Sequence, residues 1–235
     1  MKNLILLIIF VNIIFANNCW AITTEITVNY NLTLPLINDQ IAINEIKTIS
    51  SEYNKLISDS NNDSFNDELY NKLDLFIKNH KKSQSSLTAL YMISGMCFFK
   101  DTANIYQQKG FEMLDYLINN YPNYVQGKIS IIVKAISLEN QGQRKEAIKL
   151  LEDKYEVILS IERDPYHNNF LEELHLNGTD NEFAGAMYYM LLSEFSLKSG
   201  EKTKAIDKLE QIVKLYPQTR WAKEAQEKLK QLESK

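Results

Sequence analysis

Few residues of this chain have types and spacing that could do chemistry, and most of those fall between Arg163 and Asn181. His167 and His175 flank Glu172 and Glu173 there, which brings together imidazoles and carboxylates of the metal-binding kind. Eight residues of helix set the two histidines about two turns apart on one face. That span is too wide for one ion without a bend, so the stretch reads as a solvated insertion rather than a zinc site. Asp164 and Glu172 make a weaker pair for acid–base work. His80 falls in a loop position and reads as a structural replacement for tyrosine. Cys97, in the apolar run GMCFF, reads as a small buried hydrophobe rather than a reactive thiol.

No nucleotide-type glycine loop, Gly-x-Ser-x-Gly, His-Glu-x-x-His or metal-spaced cysteine pair occurs. No catalytic residue, metal or cofactor is therefore expected, and the chain is read as non-enzymatic. Of its 235 residues 45% are hydrophobic and 24% charged, a globular composition. Seven glycines and four prolines are too few for an all-β protein built on tight turns. A net charge of −4 with mixed signs excludes the basic stripe of a nucleic-acid binder.

Residues 1–21 read as a signal peptide: Lys2, an apolar run from Leu4 to Phe15, and Cys19-Trp20-Ala21 before the cut. The run is shorter than the ~20 residues a membrane-spanning helix needs. Cleavage after Ala21 leaves Cys97 as the remaining cysteine and places the chain in the periplasm or outside the cell. Lipidation at Cys19 is the rival reading. Residues 22–38 form an extended N-terminal arm, because Ile26, Val28, Tyr30, Leu32 and Leu34 alternate with polar residues. The arm lies along the helices or adds to the sheet edge of a partner. Residues 39–65 hold a helix, with Ile43, Ile46, Ile49, Tyr53 and Leu56 at helical steps, followed by a polar loop at 58–64.

From residue 66 to 235 the chain repeats itself. Lys109–Pro122 (KGFEMLDYLINNYP) aligns without a gap on Lys204–Pro217 (KAIDKLEQIVKLYP). Leu69–Lys81 fits the same frame with His80-Lys81 in place of Tyr-Pro, and Glu146–Ile158 fits only its first half. The framed leucines are Leu73, Leu114, Leu151 and Leu209. Gly142 and Gly200 each precede a framed alanine by five residues and mark left-handed helix ends. The helices before the framed ones are Ser86–Phe99, Val125–Leu138 and Glu182–Leu197, and Trp221–Leu232 closes the array.

Helix pairs of this length, with a small residue early in the second helix and proline at its end, resemble tetratricopeptide repeats. Ala205, Leu209, Ile212 and Pro217 carry the resemblance, as do Gly110, Leu114, Leu117 and Pro122, with Gly95 as the small residue of a first helix. YPQTRWAKEAQEKLKQL is similar to the closing repeat of bacterial envelope proteins, namely the Tol–Pal-associated cell-division coordinator and the lipoprotein assisting outer-membrane β-barrel assembly. The resemblance implies an all-α, right-handed solenoid of helical hairpins that binds a protein or peptide partner in a groove lined by the first helices. Groove positions then fall on Met92, Met96 and Phe99, and again on Met187, Met190 and Glu194, with methionine supplying an adaptable surface. The resulting function is a protein-binding adaptor in the cell envelope. The alternatives are an anchored outer-membrane assembly lipoprotein or a membrane-anchored helper of the export channel.

Overall fold

The computed structural model describes residues 26–58, 66–98, 104–175 and 183–233. The expected signal peptide, most of the 58–64 loop and Phe99 lie outside the described residues. The architecture is all-α, with an extended arm at 26–36. The arm is followed by α1 (Gln40–Ser58), α2 (Asp67–Asn79), α3 (Ser85–Met96), α4 (Asn104–Asn120) and α5 (Val125–Asn140). Next come α6 (Arg144–Asp153), α7 (Tyr155–Leu159), a 3-10 turn (Ile161–Arg163) and α8 (His167–Glu173). The chain then forms α9 (Phe183–Lys198), α10 (Lys202–Leu215) and α11 (Arg220–Glu233). Among the described residues the sole β interaction is an isolated parallel bridge between Ile37 and Ser83.

The helices fall into two compact units. Unit 1 holds the described residues 26–130 and 165–175; unit 2 holds 131–164 and 183–233. In unit 1, α3 packs against α1, α2, α4 and α8, and every one of its residues is buried. That matches its composition, because SSLTALYMISGM has only small and apolar side chains on all sides. In unit 2, α9 packs against α6, α7, α10 and α11. The framed leucines Leu73, Leu114, Leu151 and Leu209 are all fully buried.

One junction recurs wherever a second helix stops on an aromatic ring. The backbone N–H of His80, Tyr121 and Tyr216 donates to the carbonyl four residues back, at 2.9, 3.0 and 2.9 Å. Each carbonyl then accepts from the N–H three residues on: Ser83 at 2.8 Å, Tyr124 at 3.1 Å and Thr219 at 3.1 Å. His80 therefore replaces tyrosine, and its ring stacks on Phe76 at 4.6 Å. Six residues beyond each ring stands a small residue, Ser86, Gly127 or Ala222. A Cβ on Gly127 would lie 2.1 Å from the Tyr121 carbonyl oxygen, so no larger side chain fits against that turn.

The glycine turns also repeat. Gly142 and Gly200 have φ of +79° and +77°, the left-handed region that glycine enters without a Cβ clash. Gln143 N–H donates to the Leu138 carbonyl and Glu201 N–H to that of Ser196, both at 2.9 Å, which satisfies the last free carbonyls of α5 and α9.

Glu146–Ile158, which fits the repeat frame only in its first half, breaks at Lys154 into α6 and α7. One expectation changes. The stretch 163–181 is not a solvated insertion where it is described: α8 packs on α1 and α3, and His167, Phe170 and Glu173 are buried.

Candidate functional site

The four methionines expected to line a groove lie inside the molecule, and Phe99 lies outside the described residues. Met92 and Met96 are fully buried on α3, whose faces are taken up by α1, α2, α4 and α8. Met187 and Met190 on α9 are 4% and 5% exposed. Glu194 is half-buried, and Lys228 Nζ of α11 meets its carboxylate at 2.6 Å. An apolar helical stripe identifies a covered face, and here helices of the same chain provide the cover.

An open cleft of unit 1 lies elsewhere, between the arm and α4. Along the arm, Ile26 and Tyr30 turn inward and are buried, while Thr27 and Asn29 are exposed, which follows from the two-residue period of an extended chain. Tyr30 Oη donates to Asp74 Oδ1 at 2.7 Å, and Tyr116 Oη of α4 donates to the Tyr30 carbonyl at 2.6 Å. Thr27 N–H donates to Tyr70 Oη at 3.1 Å. Burial, then the bond to Asp74, pushes the Tyr30 phenol far above its usual range, so it remains a neutral donor. Further along, Thr33 N–H donates to the Lys81 carbonyl and Ile37 N–H to that of Lys82, at 2.8 and 2.7 Å.

Between the first described residues of the arm and α4 lies an open cleft of about 620 Å³. Its walls are residues 26–29 on one side and Lys109, Glu112, Asp115, Tyr116, Asn119 and Asn120 on the other. Those α4 residues recur at three- and four-residue steps and so share one helix face. Lys109 Nζ contacts Glu112 Oε2 at 3.0 Å, and Asn120 Nδ2 donates to the Tyr116 carbonyl at 2.9 Å. The cleft lining is mostly polar, with Ile26 and Val28 as the apolar members.

The insertion residues form a second polar cluster, closed to solvent. Glu173 is fully buried, and its carboxylate accepts from Ser85 Oγ at 2.6 Å, from Thr88 Oγ1 and from Tyr166 Oη. Gln126 Nε2 donates to Thr88 Oγ1 at 2.9 Å. Burial raises the pKa of Glu173, and the three hydroxyl donors partly offset that shift. His175 Nε2 contacts the Lys47 carbonyl at 2.6 Å rather than the carboxylates beside it. Among the described residues no group of three His, Cys, Asp or Glu side chains is placed to hold a metal. Cys97 is buried, and desolvation pushes its thiol up to about 12, so it stays protonated and inert. The polar α3 run SerSerLeuThr, inside a helix otherwise suited to a core, was the sequence sign that a buried polar partner must face it.

In unit 2 the helix pair α9–α10, its left-handed glycine turn and its tyrosine stop make one complete hairpin. Residues 184–219 match the tetratricopeptide repeat family. The matched repeat runs from α9 through α10 into the turn before α11. No curated protein and no solved structure matches the chain. The repeat and the all-helical fold together support a tetratricopeptide-repeat protein, a class whose repeats mediate protein–protein interaction. No described helix is long and apolar enough to cross a membrane.

Proposed function

We propose that the protein is a non-enzymatic adaptor, exported to the cell envelope, which holds a protein partner at the arm–α4 cleft of unit 1. The tetratricopeptide repeat at 184–219, in unit 2, supports the protein-binding part of this reading, since that class works by protein binding, and the open cleft supports its placement in unit 1. The pattern of residues 1–21 supports export, and the closing YPQTRWAKEAQEKLKQL run supports an envelope role. The open polar cleft takes over the binding role expected of the buried methionines.

Two measurements on the protein in its own cells test the reading. A photo-crosslinking residue at exposed Asn119 is expected to trap a discrete partner that the same group at exposed Lys223 of α11 does not. Traps of equal yield at both positions remove the cleft from the proposal. Mass spectrometry of the mature protein is expected to find Ile22 at its N-terminus. A lipidated Cys19 supports the anchored assembly lipoprotein instead, a retained Met1 supports the membrane-anchored helper, and recovery from the cytoplasm ends the export reading.

A further inference from the structure

We infer that α8 is a built-in occupant of a peptide site: it fills a polar seat on α1 and α3 that also takes a partner segment carrying an aromatic side chain and, three residues on, a carboxylate. This goes beyond the arm–α4 cleft and does not depend on it.

Three observations carry it. First, α8 and the residues just after it are held through backbone carbonyls and one acid, as an exchangeable peptide is held. Ser50 Oγ donates to the Glu173 carbonyl, and Asn54 Nδ2 donates to that of Leu174 at 2.9 Å. Lys47 Nζ pairs with Glu172 at 2.8 Å. Lys47, Ser50 and Asn54 stand three and four residues apart and so share one face of α1. On α3, Ser85 and Thr88 stand three residues apart and donate to the Glu173 carboxylate. The seat is therefore made by two helices that pack on each other as well as on α8.

Second, α8 fills that seat incompletely. Tyr91 Oη and Gln126 Oε1 are buried and have no hydrogen-bond partner among the described residues. Both stand beside the contact: the Tyr91 ring meets Phe170 edge-on at 5.5 Å, and Gln126 Nε2 donates to Thr88 Oγ1 at 2.9 Å. The Glu173 charge is met by hydroxyls, because Lys47 already pairs with Glu172. Unpaired buried groups and a charge desolvated without a cation are costs that opening recovers. A contact built for permanence leaves few such groups.

Third, the segment joins unit 1 from far along the chain. The rest of that unit is the run 26–130, and 165–175 is added to it. With seven residues, α8 is too short to be a stable helix in isolation, so its shape depends on its seat. Helices α1 to α4 contact one another without it. The chemistry of a competing occupant is read from α8 itself: Phe170 supplies the ring on Tyr91, and Glu173, one turn on, supplies the acceptor for two hydroxyls of α3.

The probe is a fluorescent peptide of residues 165–175, tested against the purified protein. Without peptide, the α8 amides are expected to exchange with solvent at least about tenfold faster than those of α4, through opening of α8 alone. Glu172→Lys, at an exposed position, turns the pair with Lys47 into a repulsion. It is expected to raise that opening about three- to tenfold and to tighten peptide binding by the same factor, because the seat is free for more of the time. Saturating peptide on this variant is expected to strip the remaining protection from its own α8 while α3 stays protected. Peptides carrying Phe170→Ala or Glu173→Lys are expected to bind at least about tenfold more weakly. Exchange of the α8 amides only with global unfolding overturns the inference, as does absence of binding to the folded Glu172→Lys variant or equal binding of the altered peptides. None of these outcomes depends on what the Asn119 crosslink traps.

Discussion

Glu139 in unit 2 and Glu173 in unit 1 are both buried carboxylates, yet the groups facing them differ in kind. Glu139 lies under Arg144, whose Nε and Nη2 approach its oxygens at 2.9 and 3.0 Å, and under Lys198 Nζ at 3.2 Å. Arg144 Nη1 also donates to the Lys198 carbonyl at 2.7 Å, which places a cation at the C-terminal end of α9. Glu173 is met by the hydroxyls of Ser85, Thr88 and Tyr166; the nearest opposing charge is Lys47, which already pairs with Glu172 at 2.8 Å. A cation cancels a buried charge, whereas a hydroxyl only solvates it. Unit 2 therefore uses its glutamate to join three helix ends, and unit 1 uses its own to seat α8 on α3.

The largest test of that contrast is Thr88→Val, which removes a donor to Glu173 and the acceptor of Gln126 together. Glu173 Oε2 loses its hydroxyl donor and Gln126 Nε2 its acceptor, and a loss of about 2–3 kcal/mol is expected in chemical denaturation followed by exchange of the α3 amides. A loss below about 0.5 kcal/mol would show that water replaces the hydroxyl, as it does at exposed sites.

Next in size is a pair of isosteric changes. Glu139→Gln gives up charge-assisted bonds to Arg144 and Lys198 and is expected to cost about 1–2 kcal/mol. Glu173→Gln removes a desolvated charge while keeping its shape, so stability at neutral pH is expected to stay within about 1 kcal/mol of the parent. The reverse order breaks the comparison.

Acidification sharpens it further. The native state keeps the Glu173 proton at pH values where the unfolded chain, at the ordinary value of 4.5, has lost it. The native state then binds more protons, so stability contributed by this group falls as pH rises from 4.5 through the raised value, and is constant above that. The groups facing Glu173 do not reverse this: Tyr166 stays protonated, because burial and then the carboxylate itself push its phenol far up, and the Lys47 charge only partly offsets the burial of Glu173. Exchange protection in α8 is expected to rise on moving from neutral pH toward 4.5, and to lose that rise in Glu173→Gln.

The smallest effect belongs to Lys47→Ala. Its pair with Glu172 is partly exposed, and a cost below about 1 kcal/mol is expected by thermal melting. A larger cost would mean that Lys47 screens Glu173 more strongly than the hydroxyls imply.

Much of the fold was legible because its determinants are local. A glycine five residues before a framed alanine predicts a left-handed helix end from backbone sterics alone, and Gly142 and Gly200 adopt it. The Tyr-Pro stop, with His80 as its variant, likewise needs no distant partner. What periodicity cannot give is the identity of the cover. The stripe of Met92 and Met96 was legible as apolar, but not the fact that α8, from a polar stretch far along the chain, shares in enclosing α3. The cleft was half legible: the alternation at residues 26–30 predicted the arm, while its distance from α4 depends on long-range ties from Tyr70 and Tyr116.

The place of α8 in unit 1 also bears on the order in which the protein takes shape. A chain that emerges N-terminus first, from a ribosome or an export channel, presents everything up to Ser130 well before Glu173. Until then Ser85 and Thr88 have no carboxylate to receive their protons, and the Tyr91 ring lacks the Phe170 edge that later meets it at 5.5 Å. A fragment cut at the end of the first contiguous stretch is thus an unfinished unit.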